Sequence, residues 1–313
     1  MTAAEAVSAT SHGTIFEGIW VPVVTPFMGD IVDHAALRHL ARSLADDGIK
    51  GIVACATTGE GSSLSQDEQR AVFHTLRDTL GEDYPLAIGM AEIATAQAVA
   101  WARELSALHP AALLVAVPPY LRPSQDGMRA HFEAIVEASD LPLILYNIPY
   151  RTGASIDVAT VQALARDPRV VAIKECGASL ERLNALIMQT QLKVLAGDDA
   201  QIFTTLCLGG HGAISAAAHV RPDLYVQMYG LFKEQRLDEA RLISQRLQPM
   251  IAALFAEPNP APIKALLAAQ GLMRDEVRLP LLAASAACVQ RAQEASKALM
   301  RASTNPLGAG LHR

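Results

Sequence analysis

Short runs dominated by Val, Ile, Leu and Ala recur about every 20 to 35 residues, each followed by a longer stretch with apolar positions at helical spacing. Eight such runs can be read: Ile19–Phe27, Gly51–Ala56, Pro85–Ala91, Ala111–Pro119, Pro142–Pro149, Val170–Cys176, Lys193–Asp198 and Gly212–Ala218. Their near-continuous apolar character predicts strands covered on both faces, as in a parallel sheet flanked by helices. Helix starts are marked after several of them. Ser65 leads into Gln66-Asp67-Glu68, Ser124 into Gln125-Asp126, and Asp157 into Val158–Arg166.

Eight strands with interleaved helices predict a (β/α)8 TIM barrel. The structural alternative, a doubly wound open sheet, would carry a glycine fingerprint after its first strand, where this chain has Thr25-Pro26-Phe27. After Pro222–Arg236 the strand pattern stops, and helix-like segments follow near Leu237–Ala256, Ala261–Gln270 and Pro280–Met300. The expected organisation is a flexible N-terminus over 1–14, a barrel over 15–236, a C-terminal helical extension over 237–301 and a flexible tail over 302–313.

Composition narrows the partners. Hydrophobic residues make up 51% of the chain, enough for a large core. No apolar run approaches the ~20 residues of a membrane helix. A net charge of −6 without a basic cluster gives no electrostatic basis for binding nucleic acid or acidic lipid, so small-molecule partners are expected. The first residues lack the basic start and apolar core of a signal peptide, which reads as a cytoplasmic protein. Cys55, Cys176, Cys207 and Cys288 have no paired spacing and read as reduced, buried thiols. Cys207 and His211 stand four apart without a third ligand, and Gly209-Gly210-His211-Gly212 lacks the lysine and serine of a phosphate loop. No metal and no cofactor are expected.

In a barrel of this kind the active site lies at the C-terminal ends of the strands. That rule sorts the six lysines. Lys50 and Lys193 stand at or before strand starts, Lys233, Lys264 and Lys297 fall in the helical C-terminal third, and Lys174 alone ends a strand. It follows Val170-Val171-Ala172-Ile173, where loss of solvation lowers an ammonium's pKa and raises the fraction of nucleophilic amine. This suits addition to the carbonyl of a 2-oxo acid; the structural alternative is a lysine paired with Glu175 or Asp198. Thr57-Thr58-Gly59-Glu60 follows the second strand and could hold a carboxylate with its hydroxyls and amides, or be an ordinary capped turn. Tyr146 closes the fifth strand as either a proton shuttle or a core residue, with Arg151 just beyond as a carboxylate binder.

Taken together, Thr57-Thr58-Gly59-Glu60, Tyr146-Asn147-Ile148-Pro149, Ile173-Lys174-Glu175, Leu195-Ala196-Gly197-Asp198-Asp199 and Asn259-Pro260-Ala261-Pro262-Ile263-Lys264 resemble the dihydrodipicolinate synthases and N-acetylneuraminate lyases, over about residues 15 to 290. These are pyruvate-dependent Schiff-base aldolases. The resemblance implies that Lys174 forms the Schiff base and that Tyr146 and Thr58 belong to the proton relay. It also implies that the Thr57-Thr58-Gly59 turn, Gly197 and Ile214 line the pyruvate site, and that the assembly is a homotetramer.

Tyr150-Arg151-Thr152-Gly153 looks like the synthase branch, in which the arginine binds the carboxylate of aspartate semialdehyde. One departure stands out. Synthases carry two adjacent tyrosines after the fourth strand, whereas this chain reads Pro118-Pro119-Tyr120-Leu121-Arg122 and leaves Tyr120 as the candidate relay phenol. Gly61, Gln66, Gln69, Ile93 and Gln97 occupy positions that bind lysine in feedback-regulated synthases, so lysine regulation is expected to be absent. Two rivals remain: another pyruvate-dependent aldolase or dehydratase acting on a hydroxy-oxo acid or sugar acid, and a non-catalytic 2-oxo acid sensor.

Overall fold

The structure, a computed structural model, describes residues 15–303. The N-terminus expected to be flexible and nearly all of the expected tail lie outside the described residues. Eight parallel strands close into a barrel: β1 (Gly18–Pro22), β4 (Gly51–Ala54), β5 (Leu86–Met90), β6 (Ala112–Ala116), β7 (Leu143–Asn147), β8 (Val170–Glu175), β9 (Lys193–Ala196) and β10 (Gly212–Ile214). Two short strands, β2 (Phe27–Met28) and β3 (Ile31–Val32), form a separate antiparallel hairpin. The helices between strands are α1 (His34–Asp46), α2 (Gln66–Leu80), α3 (Thr95–Ser106), α4 (Gln125–Ala138), α5 (Pro149–Thr152), α6 (Val158–Leu164), α7 (Leu180–Gln189) and α8 (Ile202–Cys207). After the last strand come α9 (Pro222–Lys233), α10 (Leu237–Leu254), α11 (Ala261–Ala269) and α12 (Ala286–Ser303).

Alternation along each strand divides the core in two. Trp20, Val53, Ala87, Leu114, Ile144, Ala172, Leu195 and Ile214 fill the barrel interior. Their neighbours Val21, Ile52, Ile88, Leu113, Leu145, Ile173, Val194 and Ala213 pack outward, in the layer shared with the helices. Trp20 stacks on Phe16 with ring centroids 5.5 Å apart. A Cβ on Gly51 would lie 2.6 Å from the Trp20 ring, so glycine there makes room for the indole. Lys174 follows Ala172 by two positions and therefore shares its inward face.

Several expected runs end early, always at the C-terminal side. The first was expected to reach Phe27, but β1 stops at Pro22 and Phe27 belongs to the hairpin. Neither Pro22 nor Pro26 has an N–H for a ladder, and the Val24 amide donates to His219 Nε2 at 3.1 Å. The second run leaves the sheet at Cys55, which has a positive φ of 54°. Ser65 and Ser124 cap their helices as expected, Ser65 in a reciprocal box with Glu68, whereas Asp157 occupies its cap position without a side-chain hydrogen bond. The last helix begins at Ala286, six residues after the expected Pro280.

The extension is tied to the barrel through Arg278, which donates to both carboxylate oxygens of Glu68 and to the carbonyl of Ser63. Hydrogen bonding from Arg278, helped by Ser65, lowers the Glu68 pKa from its ordinary 4.5 to about 2. A depressed carboxyl stabilises the fold above its unfolded pKa and loses that contribution as pH falls through the folded one. Glu68→Gln should therefore cost roughly 1–3 kcal/mol at neutral pH. In urea melts its deficit against wild type should shrink between pH 4.5 and about pH 2. A deficit independent of pH would show that the charge contributes nothing.

Candidate active site

The site is built where the strands leave the barrel. On β8, Lys174 is paired in register with Tyr146 of β7, so the amine and the phenol project inward side by side. Lys174 Nζ lies 4.4 Å from the centroid of the Tyr146 ring. Both are about 5% exposed. Burial lowers the Lys174 pKa, against weaker opposing pulls from Cys176, Asp199 and Asp198. The pairing considered above does not form. Glu175 accepts from Asn147 Nδ2 and from Arg182 at 3.0 Å, while Asp198 accepts from the Gly177 amide and from the Tyr150 hydroxyl at 3.3 Å. A lysine kept from carboxylate partners in a dry setting is inclined to lose its proton and attack a carbonyl.

Around this pair lies a cavity of about 710 Å³, lined among others by Thr57, Thr58, Tyr150, Arg151, Gly197, Asp199 and Asn259. Burial pushes the Tyr146 pKa well above that of a free phenol, and a side-chain hydrogen bond with Thr57 opposes this. Gly197 has no room for a side chain: a Cβ would stand 2.2 Å from Cys176 Sγ and 3.1 Å from Lys174 Cε. Its absence lets the lysine stem pass. Asp199 is buried beside this passage, accepting from the Ser215 hydroxyl and from the Ala217 amide at 2.8 Å.

Thr57-Thr58-Gly59 is a 3₁₀ turn followed by Glu60 in the left-handed region at φ 53°. The C-terminal extension holds this turn. Asn259 Nδ2 donates to Thr58 Oγ1 at 2.9 Å, and Lys264, fully buried on α11, forms an ion pair with Glu60. The Arg278 amide binds the second Glu60 oxygen at 2.9 Å. Burial lowers the Lys264 pKa to about 8, opposed by the attraction of Glu60. Both ends of this ion pair are satisfied by further hydrogen bonds, as a buried pair requires. Asn259, Lys264, Glu60 and Asp199 therefore join the site as positioning groups; only their presence in the motifs marked them beforehand.

The remaining expected residues are placed differently. Gly59 sits under the turn, its carbonyl accepting from Thr25 Oγ1 at 2.7 Å. Ile214 is fully buried in the barrel interior and is not among the cavity-lining residues. Tyr120 is 87% exposed, on a loop where it and Arg122 both have positive φ, so within one chain it does not reach Tyr146. Cys55, Cys176 and Cys288 are buried thiols, whereas Cys207 is exposed, contrary to expectation. Among the described residues no group of three His, Cys, Asp or Glu side chains gathers to hold a metal. No helix among them is long and apolar enough to cross a membrane.

Comparison with known proteins decides the family. The model of the dihydrodipicolinate synthetase family matches residues 15–299. The chain belongs to that family. Among curated relatives, the 4-hydroxy-tetrahydrodipicolinate synthase of Limosilactobacillus fermentum is 40% identical over 263 residues, covering 83% of this chain and 84% of the relative. The enzyme of the same name from Syntrophus aciditrophicus is 36% identical, covering 85% and 92%. The crystal structure of dihydrodipicolinate synthase from Thermotoga maritima superposes with a TM-score of 0.89 at 29% identity, covering 91% of this chain and 99% of that one. Family members thus share the barrel, the extension and their order along the chain.

Proposed function

We propose that this protein is a 4-hydroxy-tetrahydrodipicolinate synthase that condenses pyruvate with L-aspartate 4-semialdehyde in lysine biosynthesis. The observation that carries the reading is the buried, carboxylate-free Lys174 amine beside the Tyr146 phenol in a cavity of small-molecule size. Neutral Lys174 attacks the 2-carbonyl of pyruvate, and Tyr146 protonates the carbinolamine hydroxyl so that it leaves as water. The resulting iminium draws electrons from the adjacent methyl group, which loses a proton to give an enamine. The enamine carbon adds to the aldehyde of the second substrate. The amine of that substrate then displaces Lys174 and closes a six-membered ring, freeing the lysine for another turnover.

In this scheme Thr57 and Thr58 hold the pyruvate carboxylate and join Tyr146 in the proton path, and Arg151 orients the semialdehyde carboxylate. Arg151 supports that assignment by being exposed at the cavity rim, clear of the reacting pair. Arg151→Ala is expected to raise the semialdehyde KM or lower turnover by roughly 10-fold or more, leaving pyruvate binding almost unchanged. If wild type turns over the semialdehyde no faster than unrelated aldehydes, and Arg151→Ala leaves the rate unaltered, the acceptor is a different aldehyde and the chain is another aldolase of the family.

Lysine should not regulate this enzyme. Gln66 and Gln69 carry no charge, and Ile93 brings an apolar side chain where a polar one binds the effector in regulated synthases. Each lost partner costs ~1–3 kcal/mol. Rates should be unaffected by lysine at concentrations up to about a millimolar, equivalent to only ~4 kcal/mol of binding. Half-inhibition well below that would overturn this assignment. A cytoplasmic location and a homotetramer complete the proposal; exposed Tyr120 and Leu121 offer an apolar surface suited to a second subunit.

A further inference from the structure

A second cavity, of about 310 Å³, approaches Tyr146 from another side of the barrel mouth. Tyr146 and Thr57 line both cavities. Across the second one stand Glu92 and Gln69, and each presents a buried oxygen without a hydrogen-bond partner among the described residues: Glu92 Oε2 and Gln69 Oε1. The Gln69 amide nitrogen is engaged by the carbonyls of Gly61 at 3.0 Å and Leu64 at 3.4 Å, which fixes its oxygen in place. A polar cavity of this volume has room for several water molecules, and two unpartnered acceptors on its wall are the groups such water would satisfy.

We infer that Glu92 is the outer end of a water-mediated proton path that runs through this second cavity to Tyr146. The inference rests on the Schiff-base reading above and adds to it a residue for which that reading has no role. It answers a difficulty in the chemistry. Burial holds the Tyr146 phenol far from ionisation, so it is a poor base by itself. A phenol that accepts one proton while releasing its own need never ionise, provided a final acceptor stands beyond it. In enamine formation the methyl C–H breaks and its electron pair enters the C=C bond. The proton enters the relay at the phenol oxygen, and the phenol's own proton passes along water to Glu92 Oε2 and on to solvent. The return of a proton for loss of hydroxide reverses the path. Tyr120, turned to solvent in the single chain, does not fill this place.

The titratable groups lining the cavity are Glu92, Tyr146 and Cys55. Burial keeps the Cys55 thiol protonated, so it does not compete. Burial also raises the Glu92 pKa, opposed by the backbone amides of Glu92 and Ala91, bringing its carboxyl closer to the proton-exchange range. Glu92 acts through Tyr146 and is a positioning and relay group, not one that touches substrate.

The test compares Glu92→Gln, Glu92→Asp and Glu92→Ala with wild type, using pyruvate and the semialdehyde. Glu92→Gln should lower kcat roughly 10-fold or more. It should remove the acid limb of the pH–rate profile and enlarge the solvent deuterium isotope effect, while pyruvate KM stays near wild type. Glu92→Asp should recover part of the rate, and acetate should rescue Glu92→Ala saturably, which a merely structural residue would not permit. Wild-type kcat, pH profile and isotope effect in Glu92→Gln would overturn the relay. So would a loss of rate in Glu92→Ala that acetate cannot restore. Borohydride trapping of pyruvate on wild type, run alongside, separates the two readings. If trapping succeeds and the Glu92 variants are silent, only the relay fails; if trapping fails, the Schiff-base reading falls and takes the relay with it.

Discussion

Lys174→Arg is expected to reduce turnover by roughly 10³-fold or more, because a guanidinium stays protonated and has no lone pair to offer a carbonyl. The substitution retains a positive charge at the end of β8, so any role that depended on charge alone would survive it. Folding should also survive in part, since Lys174 makes none of the ion pairs or hydrogen bonds that hold Glu175, Asp198 and Asp199. Near-normal activity in this variant would exclude a covalent lysine. Wild type itself should form the iminium faster as pH rises. The midpoint should lie below the ordinary lysine value of 10.5, since burial lowers the folded pKa and the amine is the reacting form.

Tyr146→Phe should cost about 10²–10³-fold in kcat, the range general acid–base assistance ordinarily supplies. The ring remains and still lies against the Lys174 stem, so packing and the amine's desolvation are preserved while the hydroxyl is lost. Thr57 then loses its side-chain hydrogen-bond partner. Pyruvate KM should change far less than kcat, because the phenol is needed for moving protons more than for binding. An equal fall in kcat/KM and rise in KM, with kcat intact, would instead make Tyr146 a binding group.

The barrel was legible in the sequence because strands buried on both faces are almost wholly apolar and return at regular intervals. Their C-terminal limits were not. Apolar character persists beyond the last ladder hydrogen bond, as at Ala56, Ile148 and Cys176, because the first residues of the mouth loops are buried too. Lys174 was legible for the opposite reason, as a charged residue at the end of an apolar run. The contacts from Asn259 to Thr58 and from Lys264 to Glu60 join residues 201 and 204 positions apart, and they depend on where the extension packs. No local pattern encodes that. The exposure of Tyr120 was equally hidden, being set by a loop with two left-handed residues, Tyr120 and Arg122. Glu92 gave no signal of its own; only the fold brings it to a cavity shared with Tyr146.

The central claim is a covalent bond between pyruvate and one lysine, and borohydride tests it most directly. Hydride adds to the iminium carbon and converts a reversible linkage into a stable secondary amine. Wild-type enzyme treated with borohydride and pyruvate should lose activity, and peptide mass spectrometry should find a reduced pyruvyl group on the peptide containing Lys174. Borohydride without pyruvate should leave the enzyme active and unlabelled. Modification of a different lysine, or full activity and no label after treatment with both reagents, would contradict the account.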